Sequence, residues 1–203
     1  MANSKFYIVP DKRTVTLGMK ESRSNFLCPT NTVMTGRYHK GDENGQTQYE
    51  YATLKAVDVN GNIVAGTITV EDVKWDSSIK ESSGGGYDAP ANRVIVGRKH
   101  DGDENGQTQY ATAIIKIDGK TTTLEGGINS ASIKESSGIW FKTDSDRVMT
   151  GRHHNGDENG QTYYTSAKVV INFSSTEPAP EGTIIVPDVR TASVNMKESG
   201  SSF

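Results

Sequence analysis

The chain has 203 residues, a net charge of −3 and only 33% hydrophobic residues, with a pI near 5.8 and a mean hydropathy of −0.60. No basic face is written into it, which argues against nucleic acid as a partner. No apolar run approaches the ~18 residues of a membrane span. Cys28 is the single cysteine, so neither an intrachain disulfide nor a zinc site built on several thiolates is open to it.

The first residues, MANSKFYIVPDKR, lack the apolar stretch of a signal peptide. Synthesis in the cytoplasm is therefore expected, with release by a non-classical route left open. Leu is scarce, Gly is abundant, and no segment keeps apolar spacing at 3.6 over more than two turns. Short strands and many turns are expected instead of long helices.

In chain order, the first repeated phrase is MKESRSNF (19–26), followed later by SIKESSGGGY (78–87), SIKESSGIWF (132–141) and MKESGSSF (196–203). Twelve residues before the Lys stand Ile8, Ile68 and Ile185; the stretch from Thr122 is a looser match. This unit is half A. Half B follows it as MTGRYHKGDENGQTQY (34–49), IVGRKHDGDENGQTQY (95–110) and MTGRHHNGDENGQTYY (149–164). GDENGQT is identical in all three, and Gly-Arg-x-His precedes each copy.

The A-to-B spacing is nearly constant, at 17 residues from Lys20 to Arg37 and 18 from Lys80 to Arg98 and from Lys134 to Arg152. The period between successive Lys-Glu-Ser phrases is 60, 54 and 63 residues. That is too long for the common helical solenoids and suits about four short strands per repeat. The expected fold is all-β and quasi-symmetric, prism- or barrel-like. It has three and a half repeats, at 1–66, 67–120 and 121–174, with a terminal half-repeat at 175–203. The fourth A half is expected to cap the last hairpin, close the structure on the first module, or pair with another chain, so a homo-oligomer is one possible outcome. Pro10 and Pro187 lack a backbone donor and suit edge strands.

Half B reads as a hairpin. Val33, Thr35, Arg37 and His39 alternate with Met34, Gly36, Tyr38 and Lys40, as side chains of a strand do. The Arg and His recur, whereas position 38 becomes Lys99 or His153 and position 40 becomes Asp101 or Asn155. Asn44-Gly45 is expected to supply a positive-φ turn, and Gly41 another kink. The recurring face, rimmed by the loop, is the candidate ligand site. Its residues are Arg37, His39, Asp42, Glu43, Asn44 and Tyr49. The matching sets are Arg98, His100, Asp103, Glu104, Asn105 and Tyr110, and Arg152, His154, Asp157, Glu158, Asn159 and Tyr164.

Planar carboxylates, amides and guanidinium groups bond well to sugar hydroxyls, and a Tyr ring suits the apolar face of a sugar. Three weak sites on one chain gain avidity on a target that displays several glycans. In design the chain resembles small tandem-repeat lectins: all-β, Gly-rich, one sugar site per repeat and few or no disulfides. The resemblance covers the whole chain as architecture and rests on no family-specific motif. It implies a non-catalytic, multivalent carbohydrate-binding protein, a hemagglutinin that engages cell-surface or secreted glycans without a cofactor.

Other readings compete. The polar hairpins are scaffold if Arg37 pairs with Asp42 or Glu43 and His39 bonds the turn. A structural or adhesin repeat follows from that. A weak divalent-metal repeat would use His39, Asp42 and Glu43, but calcium wants about six to eight oxygens and zinc more than one His per loop. Catalysis is not expected, because Asp42 and Glu43 are adjacent whereas glycosidase carboxylates come from separate elements. The histidines make no Ser-His-Asp pattern.

Overall fold

The structure, a computed structural model, describes residues 4–80, 84–103, 105–157 and 159–173. Among them every regular element is a β-strand. The first part of the chain forms β1 (Ser4–Val15), β2 (Met19–Lys20), β3 (Asn25–Leu27), β4 (Thr32–Lys40), β5 (Gln46–Val57) and β6 (Ile63–Val64). The second forms β7 (Ile68–Trp75), β8 (Ile79–Lys80), β9 (Gly86–Asp88), β10 (Val94–Asp101), β11 (Gln107–Ile117) and β12 (Lys120–Thr121). The third forms β13 (Thr123–Asn129), β14 (Ile133–Lys134), β15 (Phe141–Lys142), β16 (Val148–Asn155) and β17 (Gln161–Phe173). All the strand pairings are antiparallel.

Three long hairpins, β4–β5, β10–β11 and β16–β17, carry the repeated loop. Each receives a long strand and a short Lys-bearing strand from its own repeat: β1 and β2 on β5, β7 and β8 on β11, β13 and β14 on β17. The chain then crosses over. β3 pairs with β10 of the second hairpin, β9 with β16 of the third, and β15 with β4 of the first. The three repeats are thus interlocked in a ring, and none holds its own aromatic strand. A further pairing of β1 with the end of β17 joins the first and third hairpins in one 11-stranded sheet, and the second hairpin lies in a 6-stranded sheet.

Among the described residues it is the third A half that seats on the first hairpin. The expectation that a fourth copy does so concerns residues 175–203, which lie outside the described residues.

Glycine makes this seam possible. A Cβ on Gly36 would lie 2.6 Å from the Phe141 carbonyl oxygen, on Gly97 2.8 Å from that of Phe26, and on Gly151 2.7 Å from that of Tyr87. The Gly of Gly-Arg-x-His is therefore required by the approach of the neighbouring strand. A bulge falls just before it in every hairpin, between Met34 and Gly36, Ile95 and Gly97, and Met149 and Gly151.

The expected alternation along 33–40 holds only after the bulge. Residues 32–37 are all buried, and then Tyr38 is half-buried, His39 buried and Lys40 exposed. The extra residue breaks the two-residue period, and the strand base lies in the core. That core has two parts. One is mainly aliphatic, with Ile8, Val33, Val94, Ile115, Val148 and Val169. The other is aromatic and sulfur-rich, with Phe26, Met34, Tyr49, Tyr87, Tyr110, Phe141, Met149 and Tyr164. Burial supplied by all three repeats together lets a chain this poor in apolar residues form a core.

Candidate functional site

The loop is built from its backbone outward. Asp42 Oδ1 accepts the Asn44 amide at 2.9 Å, and the Asp42 carbonyl accepts the Gly45 amide at 2.7 Å. Asp103 and Asp157 do the same for Asn105 and Asn159, each at 2.8 Å. Such a side-chain turn explains why an Asp recurs here.

The positive φ is carried by Gly41 at 96°, Gly102 at 108° and Gly156 at 101°. Asn44 and Gly45 do not have it, which corrects the expected turn geometry. Gly45 is needed for room: a Cβ there would stand 2.1 Å from the Lys40 carbonyl oxygen, with 2.2 and 2.0 Å at Gly106 and Gly160.

Neighbouring A segments hold the loops in place. The Ser22 amide donates to the Glu43 carbonyl at 2.8 Å and the Glu21 amide to that of Gly45 at 3.2 Å. On the other side the Gly41 amide donates to Ser136 at 3.2 Å, while the Glu135 amide donates to Gly160 at 3.0 Å. The segment around Glu135 therefore lies between the third loop and the first. Among the described residues, the first phrase thus lies against the first loop and the third phrase against the third loop and the first.

Behind the loops the recurring face points inward. Arg37, Arg98 and Arg152 are 1%, 1% and 3% exposed. Glu21 bonds Arg37 at 2.5 Å and Arg98 at 2.8 Å. Glu135 bonds Arg37, and Arg152 at 2.9 Å. Burial works against the charge on Arg37, yet Glu135 and Glu21 outweigh it and hold its pKa above the ordinary value. The guanidinium groups thus pair with the Glu of the Lys-Glu-Ser phrase, and not with Asp42 or Glu43.

His39 Nε2 donates to the Gly41 carbonyl at 2.8 Å, bonding the turn as the scaffold reading expects, and its Nδ1 lies 2.9 Å from Glu21 Oε2. In the third copy His154 meets Gly156 O at 3.0 Å and Thr162 Oγ1 at 2.7 Å. His100 meets Thr108 Oγ1 at 2.8 Å.

The tyrosines are enclosed as well. Tyr49 stacks on Phe26 at 4.7 Å, Tyr110 on Tyr87 at 4.3 Å and Tyr164 on Phe141 at 4.2 Å, with interplanar angles of 5°, 15° and 10°. Burial raises the pKa of Tyr164. A sugar cannot reach rings sealed in this way. The proposal that Arg37, His39, Tyr49 and their counterparts form the floor of a ligand site is therefore corrected: these side chains build the interior, where three copies meet.

The loop side chains remain. Asp42, Asn44, Asp103, Asn105, Asp157 and Asn159 are exposed, and Glu43 is half-buried. Glu43 Oε1 accepts from Asn44 Nδ2 at 2.7 Å. Glu104 and Glu158 lie outside the described residues.

On the outward face beside the loops, the differing residues make different contacts. Tyr38 meets Trp140 with ring centroids 5.4 Å apart. Lys99 Nζ sits 4.5 Å from the centre of the Trp75 ring. His153 stacks on Tyr163 at 4.6 Å and bonds Asp88 at 3.0 Å.

An open cavity of about 330 Å³ lies between Asp88–Asn92 and Leu124–Gly127. It reaches Ala167, seven residues along the strand from Gly160 and so roughly 20 Å from the loop. Glu125 on its rim is engaged by Lys5 at 2.6 Å.

The partners of Arg37 were missed by sequence reasoning. The available signal was balance: a recurring Arg that is buried calls for a recurring acid, and the Lys-Glu-Ser phrase supplies one per repeat.

Among the described residues no group of three or more His, Cys, Asp or Glu is placed to hold a metal ion. No helix among them is long and apolar enough to cross a membrane. No family model matches the chain, and no curated protein or solved structure matches it either.

Proposed function

We propose that the protein is a non-catalytic, multivalent carbohydrate-binding protein whose contacts are the three GDENGQT loops. One observation carries this reading. Packing or turn geometry accounts for Arg37, His39, Tyr49, Gly36, Gly41, Gly45 and Asp42, but not for the side chains of the half-buried Glu43 and the exposed Asn44, two residues that the sequence writes three times.

A carboxylate beside an amide, on a loop whose turn is fixed by hydrogen bonds, offers pre-positioned acceptors and donors for vicinal hydroxyls. Three loops on one chain favour a target that displays several sugars, since linked weak sites gain avidity. Glycans of cell surfaces or secretions are such targets.

The test is a glycan array together with erythrocyte agglutination. The wild-type protein is expected to give signal in both. The triple variant Glu43→Gln, Glu104→Gln, Glu158→Gln is expected to lose both while melting normally. An intact chain that is silent in both assays sinks the proposal.

A further inference from the structure

We infer that Tyr38 and Trp140 form the apolar platform for an uncharged pyranose ring at the first of the three loops, so that this site differs in ligand preference from the other two. The inference rests on the glycan-binding reading above and adds to it the ring that a sugar would stack on.

Trp140 directly precedes Phe141, whose backbone pairs with Arg37, so the indole stands across the seam from Tyr38 on the outward face. The seam is tied to the first loop. The Gly138 amide donates to the His39 carbonyl at 2.9 Å, and Gly41 donates to Ser136 at 3.2 Å. Lys40 bridges to Ser137. The tyrosine is four residues before Asp42, at most ~13 Å along extended chain. An apolar ledge and a carboxylate-amide pair therefore share one support, as the two kinds of sugar surface require: C–H faces on aromatic faces, hydroxyls on planar polar groups.

The pair is half-buried on the outward side, where the three inner stacks are enclosed. Its rings are tilted by 39° at 5.4 Å, and both residues are half-buried. The inner stacks sit at 4.2–4.7 Å and within 15° of parallel. Lys142 Nζ lies over the indole, 5.0 Å from its centre, and is also held by Glu50 at 2.5 Å, so one face of the ring carries a cation.

The equivalent positions at the other hairpins carry different residues. At the second, Asn25 replaces Trp140 and Lys99 replaces Tyr38, its ammonium drawn over Trp75. At the third, Gly86 replaces Trp140. The His153 ring fills the space, with Nδ1 only 1.6 Å from where a Gly86 Cβ would be, and is stacked 3° from parallel on Tyr163. The three outward faces present Trp and Tyr, a cation, and a closed imidazole stack. The first is the one whose two outward rings, Tyr38 and Trp140, are tilted and not stacked parallel.

The chain has two tryptophans, which makes the test direct. In Trp75→Phe the sole indole is Trp140. Titration with methyl glycosides of neutral hexoses and N-acetylhexosamines is expected to shift its emission saturably. In calorimetry Trp140→Ala is expected to lose the neutral-glycoside component or weaken it about tenfold, as for one stacking contact. Should Trp140→Ala melt early, Tyr38→Ser removes the other half of the ledge from a strand anchored elsewhere.

Unchanged emission at saturation, or full neutral-glycoside affinity in both variants, overturns the inference while leaving glycan binding at the loops intact. Binding of charged glycans alone overturns it as well. A wild-type chain that binds nothing on the array overturns the glycan-binding reading and the platform with it.

Discussion

The inward and outward sides of the three hairpins carry opposite kinds of information. Inside, Arg, His and Tyr recur without change because each copy meets the other two around one set of carboxylates. A substitution in one copy would break the fit of its neighbours. Outside, Tyr38, Lys99 and His153 occupy equivalent places and differ, because nothing in the ring requires them to agree. Repetition within a chain therefore reports shared packing before it reports shared chemistry. A functional reading has to rest on recurring residues for which packing has no use, and in the first loop Glu43 and Asn44 are two of them.

The comparison predicts where the chain will break. Arg37→Ala leaves Glu21 and Glu135 buried without their shared cation and should cost about 3–5 kcal/mol. Urea unfolding measures this, and a loss below about 1 kcal/mol would mean that the charged interior is not what holds the ring together. Next in size is Gly45→Ala, expected to cost about 3 kcal/mol. The added methyl meets the Lys40 carbonyl, a backbone atom that cannot swing aside. An unchanged denaturation midpoint would refute the close approach.

Glu50 sharpens the inner side in a different way. It has no acidic counterpart in the other copies, where Ala111 and Thr165 stand. It accepts from Lys142 at 2.5 Å, Arg13 at 2.9 Å and Thr35 at 3.0 Å, fastening the third A half to the first hairpin. Burial alone would raise its pKa. The bonds from Lys142, Arg13 and Thr35 outweigh burial and set it below the ordinary 4.5. A carboxylate with a depressed folded pKa contributes stability that is present above pH 4.5 and is lost as pH falls through the folded value. Glu50→Gln should cost about 2 kcal/mol at neutral pH. It should also flatten the loss of stability below pH 4.5 relative to wild type. Parallel acid limbs for the two proteins would contradict this.

The all-β class, the hairpins and the kink at Gly41 were legible in the sequence, because each follows from local signals: turn residues, short period and scarce Leu. Arg37 could be seen to recur, but its direction could not be read. Its partners Glu21 and Glu135 are 16 and 98 residues away, and no local pattern encodes which strand crosses to which hairpin. The bulge before Gly36 hid the burial of residues 32–36 for a related reason, since an extra residue is visible only against the partner strand. Trp140 and Phe141 are neighbours with similar composition signals. Only the crossover places one outside beside Tyr38 and the other inside on Tyr164.

The smallest effect divides the comparison within a single loop. Asp42 and Glu43 are adjacent carboxylates, and local sequence gives no reason to separate them. Asp42 builds the turn through its bond to the Asn44 amide, so Asp42→Ala should cost about 1 kcal/mol. Among the described residues the Glu43 side chain hydrogen-bonds Asn44, its neighbour in the same loop, so Glu43→Ala should stay within about 0.5 kcal/mol. Both variants should weaken glycan binding, Asp42→Ala by loosening the loop and Glu43→Ala by removing a contact. Rigidifying the loop elsewhere would rescue only the first. Equal stability costs for the two would place Glu43 in the scaffold with Arg37 and remove the strongest reason for assigning the loops a ligand.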